Sequence, residues 1–395
     1  MDFILSILDN ANPLSVHLFS LSLLYFITWI PMLNGKYVSD DHEGVEKFSD
    51  KYDVKNQKVI DFYTHEVDGK KKDYKNTQFN PQIGSPGSVV RWLRLNLGKK
   101  FQSIGKDQKG HDVYGYVQDP FRHHLISLSI HYFNVISAYF MLSMLLGKNL
   151  AFLSTMLFIV HPAKCQIVAW ISGIGYLICL AGSLSIFNLA LSVDNLFITL
   201  PLTAVLTYIA AYGLFSGSLT WIILLFIGCW EEGLVSFACF AVHSLNIGRG
   251  IVNYRVKEFK KQNMAKSTKI NYRKPIVMVK TFWYYVKMTI FPKRLGLFHK
   301  WGYHYEAKIE RMDGLFWRGI LALLCVGALY YFSSFPVRFG ILWFITYIAI
   351  FSNFMTAMQF VADRYVALSV FGYSIILSFF LLQLQVIQFV TRLGL

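Results

Sequence analysis

Windows of about 20 nearly uncharged apolar residues recur along this 395-residue chain, and each is long enough to cross about 30 Å of hydrocarbon. In lipid every backbone polar group must be satisfied within the protein, so such windows fold as helices. They fall at 14–33, 124–146, 149–161, 166–191, 196–215, 219–245, 277–291, 315–332, 337–351 and 365–390. Charged residues are 15% of the chain, against roughly a quarter in soluble globular domains. The expected class is an all-α polytopic membrane protein with about ten transmembrane helices and a long first outer loop. The window at 149–161 is short for a full crossing and is expected to be tilted or partly re-entrant.

The organisation follows from where polarity returns. Residues 1–33 hold the first helix. It lacks a basic leader and a small-residue cleavage site, so it reads as a retained span rather than a signal peptide. Residues 34–122 form a loop too polar to cross, 123–248 a set of helices, 249–280 a basic loop and 281–395 the C-terminal helices. Within the first loop, Val89, Val90, Trp92, Leu93, Leu95 and Leu97 beside Arg91 and Arg94 suggest an amphipathic helix at the interface. Residues 47–75 read as a solvated cap. Cys165, Cys179, Cys229, Cys239 and Cys325 show no paired spacing, which excludes a disulfide framework or a cysteine metal site.

Arg249, Arg255, Lys257, Lys260, Lys261, Lys266, Lys269, Arg273, Lys274 and Lys280 face one acid, Glu258, so 249–280 is expected in the cytoplasm. Counting spans from there places both termini in the cytoplasm, with the first loop, 161–166, 292–314 and 353–364 on the other side. Much of the net charge of +15 is then topological, and no nucleic-acid partner is needed.

That count collects polar residues on one face. Asp40, Asp41 and His42 follow the first span, His161–Pro162 ends the third, Lys293 and Arg294 follow the seventh, and Asp363, Arg364 and Tyr365 open the last. Carboxylates serve as general base or divalent-metal ligand, with Asp40 and Asp41 the only metal candidates. The cations suit an anionic, phosphate-bearing substrate. Taken one by one, these cations also fit interfacial anchoring. Glu231 and Glu232 differ, because they interrupt the apolar run 219–245 near its middle. A helix break aided by Gly228 and Gly233 would ease their burial.

The order of these motifs resembles the transmembrane O-mannosyltransferases that carry tetratricopeptide repeats, within the GT-C class of polyprenyl-phosphate-sugar-dependent glycosyltransferases. The resemblance runs through NGKYVSDDH, through His131 and Asn134, and through VHPAKCQIVAWISG with His161, Pro162, Ala169, Trp170 and Gly173. It continues through CWEEGL with Glu232, and through Tyr285, Pro292 and Leu295. Its nearest match is the segment holding Asn353, Arg364, Tyr365, Ser369 and Gly372. The chain departs at Ser127, at Ser85–Pro86, at Gln166, at Ile174, Gly175 and Tyr176 (where the family has Arg-Lys-Asp), and at Asp363 and Ala367. No tetratricopeptide repeat is expected within residues 1–395.

The resemblance implies a GT-C-like bundle that moves a sugar, such as mannose, from a polyprenyl-phosphate donor to a hydroxyl of a protein or glycan on the non-cytoplasmic face. The membrane would be the endoplasmic reticulum or a bacterial inner membrane. Asp41 or Asp40 would be the base, with Arg364, then Lys293 or Arg294, holding the leaving phosphate. His42, His161, Glu232 and Tyr365 would support them. No strand–GxGxxG–helix unit is present, which suits a lipid-linked donor. Two rivals stay open at this point: a transporter or flippase of lipid-linked anions, and an inactive scaffold of the same fold.

Overall fold

A computed structural model of the protein describes residues 13–38, 49–53, 58–60, 66–67, 70–71, 96–261, 275–293, 295, 312–352 and 361–392. The first helix, α1 (Pro13–Trp29), runs into a 3-10 turn, Ile30–Asn34. It lies antiparallel to α2 (Pro120–Leu146): Tyr25 Oη donates to Leu128 O at 2.6 Å, and His17 Nδ1 meets Tyr139 Oη at 2.9 Å. Pro120 begins α2 and Asp119 caps it by accepting from Phe121 N–H. The next helix, α3 (Lys148–Val160), runs alongside α1 in the same sense. His17 stacks on Phe152 near one end, and Trp29 Nε1 donates to Ile159 O at the other.

After a bent turn come a short α4 (Cys165–Ala169), α5 (Ile174–Ser192) and α6 (Leu196–Gly213). Asn134 Nδ2 donates to Leu177 O at 2.9 Å, fixing α2 to α5. Then follow α7 (Thr220–Ile227), α8 (Trp230–Lys261), α9 (Pro275–Ile290), α10 (Gly314–Phe332), α11 (Phe335–Ala349), α12 (Asp363–Val366) and α13 (Val370–Arg392). Trp343 anchors the core against Phe371, Tyr347 and Phe187, its Nε1 donating to Leu368 O at 3.1 Å. The backbones of α11 and α13 touch there, since a Cβ on Gly372 would strike Gly340 O. Only glycine permits that approach.

Four described helices are long and apolar enough to cross a membrane: Pro13–Asn34, Pro120–Leu146, Ile171–Ser192 and Gly314–Phe332. A fifth crossing arises if the pair Lys148–Val160 and Pro162–Ala169, bent by 56°, counts as one broken span. That break is where the short window at 149–161 ends. The helices Leu196–Ala211, Phe335–Ala349 and Val370–Leu384 are apolar but shorter.

One expected span is corrected. Residues 219–245 do not make a single crossing. The helix stops after eight residues at Gly228, whose φ of 91° is left-handed and ends the α7 ladder. The chain then reverses, so that Leu225 packs on Gly233 and Trp221 meets Phe237 at 5.0 Å. The break forms at Gly228 alone, while Gly233 serves as the close-packing residue of the hairpin. The odd–even span count loses its step at this point. A second corner of the count rests on α9, which runs parallel to α11 through Phe282–Phe344 and Tyr285 Oη to Phe351 O. Pro275 therefore starts at the end of the bundle opposite Ile290.

The fold is also not all helix. Residues 34–122 contain a two-stranded antiparallel hairpin, β5 (Lys99–Lys106) with β6 (Asp112–Gln118), after the short pairs β1 (Lys51–Asp53)–β2 (Lys58–Ile60) and β3 (Glu66–Val67)–β4 (Lys70–Lys71). Its turn closes on Asp107, whose Oδ1 accepts from Lys109 and His111 N–H at 2.8 Å, with Gly110 at φ 85°. Asp50 binds the outer edge of β6 through Tyr116, so part of the expected solvated cap is paired to the hairpin. The expected amphipathic helix at 89–97 lies largely outside the described residues.

Candidate functional site

One end of the bundle gathers residues from distant parts of the chain. Gly35 packs against His124 at the start of α2. His161 closes α3, Thr289 ends α9, Phe351 follows α11 and Arg364 sits in α12. His161 Nδ1 accepts from Ala163 N–H at 3.2 Å, so Nε2 carries the proton and donates to Thr289 O at 2.9 Å. Both ring nitrogens are thereby engaged by the chain's own backbone. His161 is a bracket between α3 and α9.

Arg364 is the group left with capacity. Its backbone N–H donates to Gln166 Oε1 at 2.9 Å. Its guanidinium lies 5.3 Å from the Trp170 ring centroid and 5.0 Å from that of Tyr365, and it hydrogen-bonds the Tyr176 side chain. Tyr365 stacks on Phe351 at 4.2 Å and 6°, which fixes the short helix and therefore the guanidinium. A guanidinium has five N–H donors. No carboxylate among the described residues pairs with Arg364, which is half-buried. Beside it, Gln166 Nε2 and Trp170 Nε1 are buried donors without an acceptor. Buried donors are almost always satisfied in folded proteins, so this corner is short of acceptors. An oxyanion would carry the acceptors that this corner lacks.

Two of these contacts come from Gln166 and Tyr176. Gln166 is a neutral amide and sets no charge against Arg364. Tyr176 touches Arg364 through its side chain. Sequence reading marked both as losses. Only the juxtaposition shows that they line the same corner.

The remaining candidates divide. Lys293 stands at this end, four residues beyond Thr289, with its N–H donated to Phe291 O. Tyr365 is buried beside Arg364. Asp40, Asp41, His42 and Arg294 lie outside the described residues, although Gly35 to Val38 bring the chain to this end. Glu232 is not brought here. It is buried in the first turn of α8, while Phe226 just before the hairpin stacks on Phe335, the first residue of α11. The 15-residue α11, about 22 Å long, separates that end from Phe351. Among the described residues no group of three or more metal-ligating side chains occurs.

Sequence reading also passed over Lys164. It is fully buried, with Nζ 3.3 Å from His131 Nε2 and 3.8 Å above the Phe158 ring centroid. Nothing in the residue pattern distinguishes it from a solvated turn lysine. No family model, characterised protein or solved structure matches the chain.

Proposed function

We propose that the protein is a membrane glycosyltransferase that takes a sugar from a polyprenyl-phosphate donor and passes it to a hydroxyl of a protein or glycan. The reading rests on the Arg364 corner: a half-buried guanidinium with unused donors, flanked by unsatisfied N–H groups of Gln166 and Trp170 and walled by aromatic rings. Such a corner suits a lipid phosphate, whose oxygens accept several charge-assisted hydrogen bonds while its chain stays in the bilayer. In the reaction, Asp41 or Asp40 removes the acceptor proton, the acceptor oxygen attacks the anomeric carbon, and the lipid phosphate leaves toward Arg364. Lys293 adds positive charge at the same end, and Arg294 is the next candidate in sequence. The active face is taken as the non-cytoplasmic one.

The test is direct binding of a short-chain polyprenyl phosphate to purified protein in nanodiscs. Arg364→Ala should weaken binding at least about tenfold, and Arg364→Lys should restore part of it, since lysine keeps the charge and loses the planar fork. Equal affinity in wild type and Arg364→Ala would remove the basis of the proposal.

A further inference from the structure

The hairpin β5–β6 is turned the wrong way round for a strand pair facing water. Pairing of Phe101 with Tyr116 and of Ser103 with Tyr114 puts Phe101, Tyr114 and Tyr116 on one face. They are 59%, 53% and 49% exposed, yet they stack on one another, Phe101 lying 5.7 Å from Tyr114 and 5.2 Å from Tyr116. The opposite face carries Ile104, Val113 and Val117, which are half-buried, and Gly115, which packs against Ile104 and Asp50. That face is partly covered by the hairpin's own residues and by Asp50, while the aromatic one is presented outward. A contiguous exposed aromatic patch of this kind marks a contact surface.

The occupant is indicated by position and charge. β6 ends at Gln118 and α2, a helix long enough to cross the membrane, begins at Pro120. Arg122, in the first turn of α2, donates to Lys99 O, and His123 meets Gln118 Oε1 at 2.9 Å, so the hairpin is held at the point where the helix leaves the bilayer. α2 has 27 residues, about 40 Å, which exceeds the hydrocarbon thickness and carries its first turns into the headgroup layer. Lys99 lies over the Tyr116 ring at 4.8 Å, on the aromatic face. The hairpin holds four lysines, Lys99, Lys100, Lys106 and Lys109, against Asp107 and Asp112. Both acids are occupied internally, Asp107 by His111 and its own turn and Asp112 by Ser103 Oγ. The surface therefore combines tyrosine, phenylalanine and free lysine charge, the composition that settles at an anionic headgroup layer.

We propose that the Phe101–Tyr114–Tyr116 face of the hairpin docks on anionic phospholipid headgroups beside α2. The docked hairpin fixes the outer loop against the bilayer, and the interaction is independent of sugar transfer.

The full chain, with its five cysteines replaced by serine, carries a spin label at Ser103→Cys on the aromatic face or at Gln102→Cys on the other. Each is reconstituted in nanodiscs of phosphatidylcholine with and without phosphatidylserine. The Ser103 label should be at least about threefold less accessible to an aqueous nickel chelate when phosphatidylserine is present, with little change at Gln102. The triple variant F101S/Y114S/Y116S keeps the backbone pairing and the Asp107 turn, and should lose the protection. Equal nickel access at the two positions in both lipids overturns the proposal. Protection of Ser103 that appears only on adding an oligosaccharide overturns it as well, in favour of a glycan-binding face.

Discussion

Arg364 and Glu232 interrupt apolar sequence in the same manner, yet the structure resolves them in opposite ways. Glu232 stands in the first turn of α8, where the unsatisfied N–H groups of a helix start favour a carboxylate without help from elsewhere. Gly228 supplies that helix start by ending α7. Arg364 sits in a four-residue helix too short to offer comparable support, and its surroundings come from α4, α5 and the turn after α11. Those surroundings supply two acceptors, Gln166 Oε1 and the Tyr176 hydroxyl, and two further donors left without a partner, Gln166 Nε2 and Trp170 Nε1. A charge that local backbone can accommodate says little about function, and one left with excess donors after folding calls for a ligand. A third case lies between them. Lys280, fully buried, is answered by Asp313, whose Oδ2 is 2.9 Å away while Oδ1 accepts from Leu315 and Phe316 N–H.

The comparison breaks first at the reaction. Asp41→Asn, or the double change with Asp40→Asn, should lower sugar transfer at least about a hundredfold if a general base operates at this end. Full turnover by the double variant would leave Arg364 as a binding corner without chemistry. Next in size is the paired charge. Asp313→Ala removes both the cap of α10 and the only carboxylate among the described residues bonded to Lys280, and should cost about 2–4 kcal/mol of stability in detergent. Partial burial pushes the Asp313 carboxyl up, but the Lys280 ammonium and the two backbone N–H groups outweigh it and hold it below the usual carboxylate range. A depressed carboxyl contributes stability that is present above its unfolded value and is lost as pH falls through the folded one. The wild-type protein should therefore lose stability below about pH 4 in a thermal-shift series, and the variant should lose less there. A wild type and variant that track each other through that window would show that the ion pair contributes nothing.

The smallest effect sharpens the contrast most. Glu232→Gln should cost about 0.3–1 kcal/mol, the usual worth of a charge at a helix start, and leave polyprenyl-phosphate affinity unchanged. A tenfold loss of affinity in that variant would place Glu232 in the site after all. The two ends can also be told apart without any energy. Impermeant thiol reagents should label Cys165 and Ser267→Cys from opposite sides if the basic residues of 249–280 set the topology. Labelling of both from one side would overturn the separation of the basic segment from the Arg364 corner.

Membrane character was legible in the chain because apolar length is a local property, and the four long helices overlap the expected windows, extending past them by up to four residues. His161, Lys293, Arg364 and Tyr365 were picked out by residue type, but the span count that grouped them relied on one crossing at 219–245 that the structure breaks in two. The reversal at Gly228 was not legible. A left-handed glycine followed by a carboxylate pair reads equally as a kink in one helix or the turn of two, and only the packing of Leu225 on Gly233 decides. Nor did the sequence foretell the hairpin at 99–118, whose alternation is blurred because aromatic residues sit on the face away from the protein. The roles of Gln166 and Tyr176 belong to the tertiary structure altogether. Their positions are 198 and 188 residues from Arg364 in the chain, and whether an arginine is paired or left with free donors depends on what folding places beside it.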